Sequence, residues 1–98
     1  MANQFGDRVR QLREQHNLLL RQVAPQLEMD TPQLSKIERG ERTAKKEQVG
    51  KLAELLKADK EELLTLWLAD QVYDVVKNED HADEALKSVS KKIKNTKE

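Results

Sequence analysis

The sequence predicts an all-α fold, both from its composition and from the spacing of its apolar residues. Leu, Lys, Glu and Gln are abundant among the 98 residues, whereas three glycines and two prolines supply few tight turns for β-hairpins. Apolar residues recur every three or four positions, as they do on one face of a helix. Hydrophobic and charged residues each make up 37% of the chain, and the periodicity indicates a folded chain rather than a disordered one.

The first two helices are predicted at about residues 4–16 and 20–27. An apolar stripe with i, i+4, i+7 spacing begins at Phe5 on the first helix. Pro25 lies well inside the second helix, where a proline removes a backbone hydrogen bond and clashes with the preceding turn. We therefore expect a kink or a displaced helix start at Pro25.

The third helix is predicted at residues 31–38, with a signal at each end. Asp30 precedes it as an N-cap, and Pro32 lies in its first turn, where a missing N–H costs nothing. Gly40 follows it as a residue with positive φ. A basic loop, residues 41–46, comes next.

Three more helices are expected after this loop. The fourth covers about residues 46–57 and contains Gly50, which predicts a close approach of two helices. A capping box of Asp59 and Glu62 begins a long fifth helix. A last amphipathic helix follows at about residues 80–94.

Several classes of function are excluded or disfavoured by composition. The chain has no cysteine, which rules out disulfides, thiol nucleophiles and cysteine-based zinc sites. No apolar run approaches the ~18 residues of a membrane span, and no signal peptide is evident, so a cytoplasmic location is expected. Asp80, His81, Asp83 and Glu84 cluster like metal ligands, but helix capping explains them more simply. We expect no metal, cofactor or small-molecule ligand, no membrane partner and no enzymatic activity.

The zero net charge conceals an uneven distribution of charge. Residues 30–46 carry +2, whereas residues 47–80 carry four lysines and nine acids and therefore −5. A polyanion responds to the field where contact occurs, so overall neutrality is compatible with binding to nucleic acid.

Residues 18–40 form a predicted helix, turn and helix, and three motifs around them resemble a known family. "RVRQLRE", "LSKIERGER" and "LAELLKADKEELL" are similar in sequence and spacing to the Cro/C1-type (Xre family) helix-turn-helix regulators over residues 5–64. The resemblance implies a five-helix, lambda-repressor-like DNA-binding domain at residues 1–66, here with an extended fifth helix and an additional C-terminal helix. Small members of this family include the controller proteins of restriction–modification systems. Within the family, we expect such a role for this chain.

Three positions depart from the family pattern. Glu28 stands at the turn position that is normally glycine, and Leu20 replaces a glutamine that often contacts phosphate. Pro32 takes a position from which members often contact a base, and its side chain can offer only an apolar contact, such as one with a thymine methyl. These departures support an alternative hypothesis, a helical adaptor that has lost DNA binding.

The resemblance also assigns residues to the DNA. Thr31, Gln33 and Lys36 are expected at base edges, with Gln33 suited to adenine and Lys36 to guanine. Glu38 would repel phosphate, so we expect it to pair internally with an arginine of the first helix such as Arg13. For each basic residue taken singly, a solvated surface charge is the alternative. The expected backbone contacts are Arg21, Ser35, Arg39, Arg42, Lys45 and Lys46.

The fifth helix carries more apolar surface than one interface needs. Either it is sandwiched between the first four helices and the last one, or it meets a second subunit, and the resemblance favours a homodimer. We expect a C-terminal helical extension for dimerisation at residues 67–94, followed by a frayed tail at 95–98. Trp67 is either the anchor of the dimer or a core residue. The predicted interface consists of Leu64, Trp67, Leu68, Val72, Val75 and Val76.

Taken together, these features predict a sequence-specific transcription regulator that binds double-stranded DNA as a homodimer on a palindromic operator. RNA polymerase is a further expected partner at the promoter. The alternative is an antitoxin-type regulator that also binds a protein toxin through residues 78–98.

Overall fold

The computed structural model describes residues 3–96, and all regular structure in this range is helical. The predicted all-α fold is therefore confirmed for these residues. None of the helices between residues 3 and 96 is both long and apolar enough to cross a membrane. The α-helices are α1 (Gln4–Gln15), α2 (Leu20–Val23), α3 (Thr31–Glu38), α4 (Lys46–Leu55), α5 (Lys60–Val76) and α6 (Ala82–Thr96).

The second helix changes its winding at the proline, as expected. α2 ends at Val23, and a 3₁₀ segment, Ala24–Leu27, continues it. Pro25 lies in the first turn of that segment, where no backbone donor is required of it. Glu28 then adopts φ 56° and ψ 42°, which is the left-handed conformation that the turn requires and that glycine adopts more easily.

The helices α1 to α5 pack around one hydrophobic core. Leu34 and Ile37 of α3 are buried in it, and Met29 packs against its edge. Helices α1, α3, α4 and α5, with the C-cap residue of α4, all contribute large side chains that are fully buried. They are Val9, Leu34, Val49, Leu52, Leu56 and Leu63.

A buried ion pair fastens α1 to α3. Arg13 Nε donates to Glu38 Oε2 at 2.7 Å, and Nη2 donates to Glu38 Oε1 at 3.0 Å. The third nitrogen, Nη1, donates to the carbonyl of Leu18 at 2.9 Å. Glu38 is only 6% exposed, and its hydrogen bond raises the pKa of Arg13 above the ordinary value. The predicted internal role of Glu38 is confirmed.

Of these two helical glycines, Gly6 and not Gly50 lies at a close approach between helices. A Cβ placed on Gly6 would lie 2.5 Å from the carbonyl oxygen of Glu38 and 2.6 Å from that of Ile37. At Gly50 the nearest atom to such a Cβ is Lys60 Cε at 3.6 Å, which is an ordinary contact. The expectation of a tight packing site at Gly50 was therefore wrong, since its inward neighbours leave room for a methyl group.

Two side chains of α5 attach that helix to distant parts of the chain. The carboxylate of Asp70 accepts hydrogen bonds from the backbone N–H groups of Gln4, at 3.2 Å, and Phe5, at 2.9 Å. It thereby satisfies two of the orphan donors at the start of α1. Trp67 Nε1 donates to the carbonyl of Ala44 at 2.8 Å, which ties α5 to the loop before α4.

The ends of α5 and α6 differ in detail from expectation. Asp59 caps α5, but it accepts from the backbone N–H of Glu61 at 2.9 Å. Glu62 is 3.5 Å from Arg8 Nε instead, so the predicted capping box does not form. α6 continues to Thr96, and residues 97 and 98 of the expected frayed tail lie outside the described residues.

Candidate nucleic-acid interface

α3 has one buried side and one exposed side. Leu34 and Ile37 point into the core, whereas Pro32, Lys36 and Arg39 are exposed on the opposite side of the helix. This separation follows from the 3.6-residue period, which places positions 32, 36 and 39 on one stripe. The exposed stripe is free to enter a groove without loss of core packing.

The first turn of α3 is fixed by its cap. Asp30 has an extended backbone, and its Oδ1 accepts from the backbone N–H of Gln33 at 2.8 Å. The predicted N-cap is therefore confirmed. Of the three expected base readers, Lys36 is exposed, while Thr31 and Gln33 are half-buried at the sides of the exposed stripe.

The last turn of α3 is closed by a pair of backbone hydrogen bonds. Gly40 N donates to Ile37 O at 3.1 Å, and Glu41 N donates to Lys36 O at 2.8 Å. This is a Schellman motif, in which the residue after the C-cap needs a positive φ. Gly40 has φ 77°, so its predicted role is confirmed.

Two of the expected phosphate contacts share one hydrogen-bond network. Arg39 Nη1 donates to Ser35 Oγ at 2.6 Å. The other side of the guanidinium meets Glu41, with Nε to Oε2 at 2.7 Å and Nη2 to Oε1 at 3.3 Å. Hydrogen bonding within this pair holds the pKa of Glu41 below its ordinary value and raises that of Arg39. Sequence reasoning did not single out Glu41.

The remaining basic residues surround α3 on neighbouring elements. Arg21 is exposed on α2, and Arg42 is exposed on the loop after α3. Lys45 and Lys46 are exposed at the start of α4, where Lys45 is the N-cap residue. Backbone N–H groups at a helix start favour an anion, and the lysines add positive charge there.

Arg10 is a further basic residue near α3, and the fold rather than the sequence brings it there. Arg10 of α1 borders a shallow depression together with Leu20, Ser35 and Arg39. Its Nε lies 3.4 Å from Glu14 Oε2 in an exposed ion pair. Helical periodicity places Arg10 away from the core, but it does not reveal that Arg10 lies beside α3.

Comparison with protein families identifies the domain. A family model described as a helix-turn-helix domain matches residues 4–66, which is more than half of the chain. The chain belongs to the helix-turn-helix domain family. No curated protein and no solved structure matches it.

Within this helix-turn-helix domain, the parts of the motif can be named. α2 with its 3₁₀ continuation is the first helix, Glu28 lies in the turn, and α3 is the second helix. Helix-turn-helix domains bind DNA by placing that second helix in the major groove. The family therefore supports DNA as the partner of this domain, and α3 stands at the position of the recognition helix.

The cluster of Asp80, His81, Asp83 and Glu84 lies at the start of α6, on the surface. His81 Nδ1 lies 3.2 Å from Glu84 Oε2, and both side chains are exposed. Between residues 3 and 96, no group of three or more potential metal ligands comes together.

Proposed function

We propose that the protein is a sequence-specific transcription regulator of the Cro/C1 type that binds a palindromic operator as a homodimer. The observation that carries the proposal is the way α3 is held. Asp30 fixes its start, the Arg13–Glu38 pair anchors its buried side, and Gly40 closes its end. A recognition helix needs such rigidity, because base readout tolerates little displacement of the side chains.

The exposed side of α3 supplies the proposed base contacts. Lys36 would donate to the acceptors of guanine, Gln33 would pair with adenine, and Thr31 would contact a neighbouring base edge. The proposed backbone contacts are those expected from the sequence, with Arg10 added because it borders the same depression as Ser35 and Arg39. Pro32 would offer an apolar contact only.

The distribution of charge supports this orientation. The +2 segment, residues 30–46, contains α3, the loop after it and the first residue of α4, whereas the −5 segment, residues 47–80, contains the rest of α4 and all of α5. A positive field at the contact surface increases the rate of association with DNA, and the acidic helices would orient the molecule.

The apolar surface that α5 leaves exposed supports a homodimer. We define the outer face of α5 as Leu68, Val72 and Val75, which follow the i, i+4, i+7 spacing of one helix face and are 56%, 39% and 76% exposed. Such a continuous apolar face marks an interaction surface. In a two-fold dimer the two α3 helices would read half-sites about one helical turn, ~34 Å, apart.

The sequence suggested Trp67 as part of the dimer interface, but in this proposal it is a core residue. Its indole N–H bonds to the carbonyl of Ala44, and the ring packs against the core. We therefore assign it to the fold of each protomer. The dimer seam would consist of the outer face of α5, with Leu64 and Val76 at its margins.

The proposed regulator acts by occupancy, without catalysis or a cofactor, and it would work in the cytoplasm, where it meets its operator. Bound at a promoter, it would block or recruit RNA polymerase. Control of restriction–modification genes is the specific role that we propose within this class, and an adjacent methyltransferase or endonuclease gene would support it.

The test is selection of bound sequences from random duplexes, followed by titration at several salt concentrations. We expect an inverted repeat with half-site centres about 10 bp apart and an affinity that falls steeply with salt. The absence of an enriched sequence, together with a flat salt response, would contradict the proposal and favour an adaptor that has lost DNA binding.

A second candidate function, an antitoxin-type regulator, is supported by α6. Its apolar residues Ala82, Leu86, Val89 and Ile93 form a narrow stripe. Within residues 3–96, α6 shares no extensive interface with another helix, and Leu86, Val89 and Ile93 are exposed. A toxin could cover this stripe. If Val89→Asp leaves the dimer and DNA binding intact but prevents capture of the product of an adjacent toxin gene, this second function is supported.

A further inference from the structure

A carboxylate lies in the middle of the proposed phosphate-binding surface. Glu41 is exposed and forms a two-point ion pair with Arg39, at 2.7 and 3.3 Å, and Arg39 also donates to Ser35. The positive charge of Lys36 also acts on Glu41. Two residues assigned to DNA, Arg39 and Lys36, thus interact with one negative charge, and a carboxylate on this surface opposes the binding of phosphate.

The backbone holds Glu41 in this position. Its N–H group closes the Schellman motif by donating to Lys36 O at 2.8 Å, after Gly40 has turned the chain. Glu41 is therefore only two residues from Arg39 at a fixed turn, and the two side chains meet with little loss of conformational freedom. The pair is built into the end of the recognition helix.

The chemistry of Arg39 makes this pair a competitor for DNA. A guanidinium binds carboxylate and phosphate with the same fork of N–H donors. While Nε and Nη2 of Arg39 serve Glu41, they cannot serve a phosphate. A phosphate must therefore displace Glu41, or bind the remaining donors close to its negative charge. Both routes cost free energy.

We propose that Glu41 is an intramolecular competitor of the DNA phosphate for Arg39 and limits the affinity of the domain for duplexes of any sequence. Phosphate contacts carry no sequence information, so such a competitor acts on specific and non-specific binding alike. Its effect is to reduce occupancy of the many non-specific sites at a given protein concentration. The inference rests on the proposed function, since it requires that α3 contacts DNA.

The test compares Glu41→Gln with the parent protein on the selected operator and on a scrambled duplex, over a series of salt concentrations. We expect roughly two- to fivefold tighter binding per subunit to both duplexes, because Arg39 is released to phosphate. The slope of log affinity against log salt should steepen by about 0.9 per subunit. Glu54→Gln, which removes an exposed carboxylate from α4, is the matched control and should change neither quantity appreciably.

A double-mutant cycle with Arg39→Ala identifies the route of the effect. If Glu41 competes for Arg39, the gain from Glu41→Gln shrinks markedly when Arg39 is absent. An equal gain in both backgrounds overturns the proposal, because Glu41 would then act as a free-standing charge. Unchanged or weaker binding by Glu41→Gln also overturns it, because Glu41 would then only position Arg39.

Failure of this inference can be distinguished from failure of the proposed function. If the parent binds the operator in a salt-dependent way and Glu41→Gln gives no gain, only the competitor is disproved. If the parent binds no duplex at all, the DNA-binding proposal fails and the competitor fails with it.

Discussion

At the scale of single residues, two arginine–glutamate pairs with similar geometry do different work because they differ in burial. The side chains of Arg13 and Glu38 are 11% and 5% exposed, whereas those of Arg39 and Glu41 are 52% and 51% exposed. Water screens an exposed pair, which therefore adds little to stability. In the more buried pair each charge depends more strongly on the other, since water has little access to either side chain.

We expect Glu38→Ala to destabilise the domain by about 3 kcal/mol, because it leaves the guanidinium of Arg13 buried without its counter-charge. Urea unfolding followed by circular dichroism measures the change. Glu14→Gln removes a carboxylate from an exposed pair with Arg10, and it should cost less than about 0.5 kcal/mol. Equal losses in the two variants would show that the Arg13–Glu38 pair is not a structural anchor.

Residues that act within a few positions of their partners could be assigned from sequence. Asp30 as a cap and Gly40 as the residue with positive φ follow from local rules of helix ends. Asp70 could not be assigned in this way. Its carboxylate caps α1 from more than sixty residues away, and no local pattern encodes such a partner.

At the scale of elements, α1 and α3 pack closely at Gly6. Gly6 permits this contact, since a methyl group there would meet two backbone carbonyls of α3. Sequence reasoning placed the close approach at Gly50, because a glycine inside a helix often marks one. The two glycines differ only in what the tertiary fold brings to them, which their sequence context does not disclose.

We expect Gly6→Ala and Gly50→Ala to change stability in opposite directions. Gly6→Ala should cost about 1–3 kcal/mol, because α1 and α3 must move apart to accommodate the methyl group. Gly50→Ala should stabilise by about 1 kcal/mol, since alanine favours the helix and only the end of Lys60 is nearby. Thermal and urea unfolding of both variants would measure this, and a stabilising Gly6→Ala would contradict the described packing.

The helix boundaries were predictable to within a few residues, and the exception has a physical cause. α2 is shorter than the apolar pattern predicts, because Pro25 converts its second half to a 3₁₀ segment. The periodicity of α6 was also visible in the sequence. Its location relative to α5 was not, since an amphipathic pattern reveals an apolar face without naming the surface that covers it.

At the scale of the whole molecule, the outer face of α5 and α3 have different proposed functions. One would join two protomers, and the other would read DNA. The chain as a whole is neutral, but residues 30–46, around α3, carry +2, and residues 47–80, which include α5, carry −5. A neutral protein can thus bind DNA on one side and associate with itself on another.

We expect Val72→Asp, at the centre of the outer face of α5, to convert the proposed dimer to a monomer at micromolar concentration, because a carboxylate would be buried in an apolar interface. Sedimentation velocity measures the change, and circular dichroism verifies the helix content. Ser88→Asp adds the same side chain to the exposed polar face of α6 and should leave the dimer intact. A dimer that persists in Val72→Asp would place the seam elsewhere.

In the proposed complex, α3 reads base sequence while the residues around it bind phosphate. The most direct test titrates Lys36→Ala and Lys46→Ala against the selected operator, a set of single-base variants of it and a scrambled duplex. Lys36→Ala should cost about 1–3 kcal/mol on the operator and relax the base preference at one position per half-site. Lys46→Ala should weaken binding to all duplexes alike and reduce the salt slope by roughly one per subunit. If both variants weaken every duplex to the same extent, α3 does not read sequence through Lys36, and the account is contradicted.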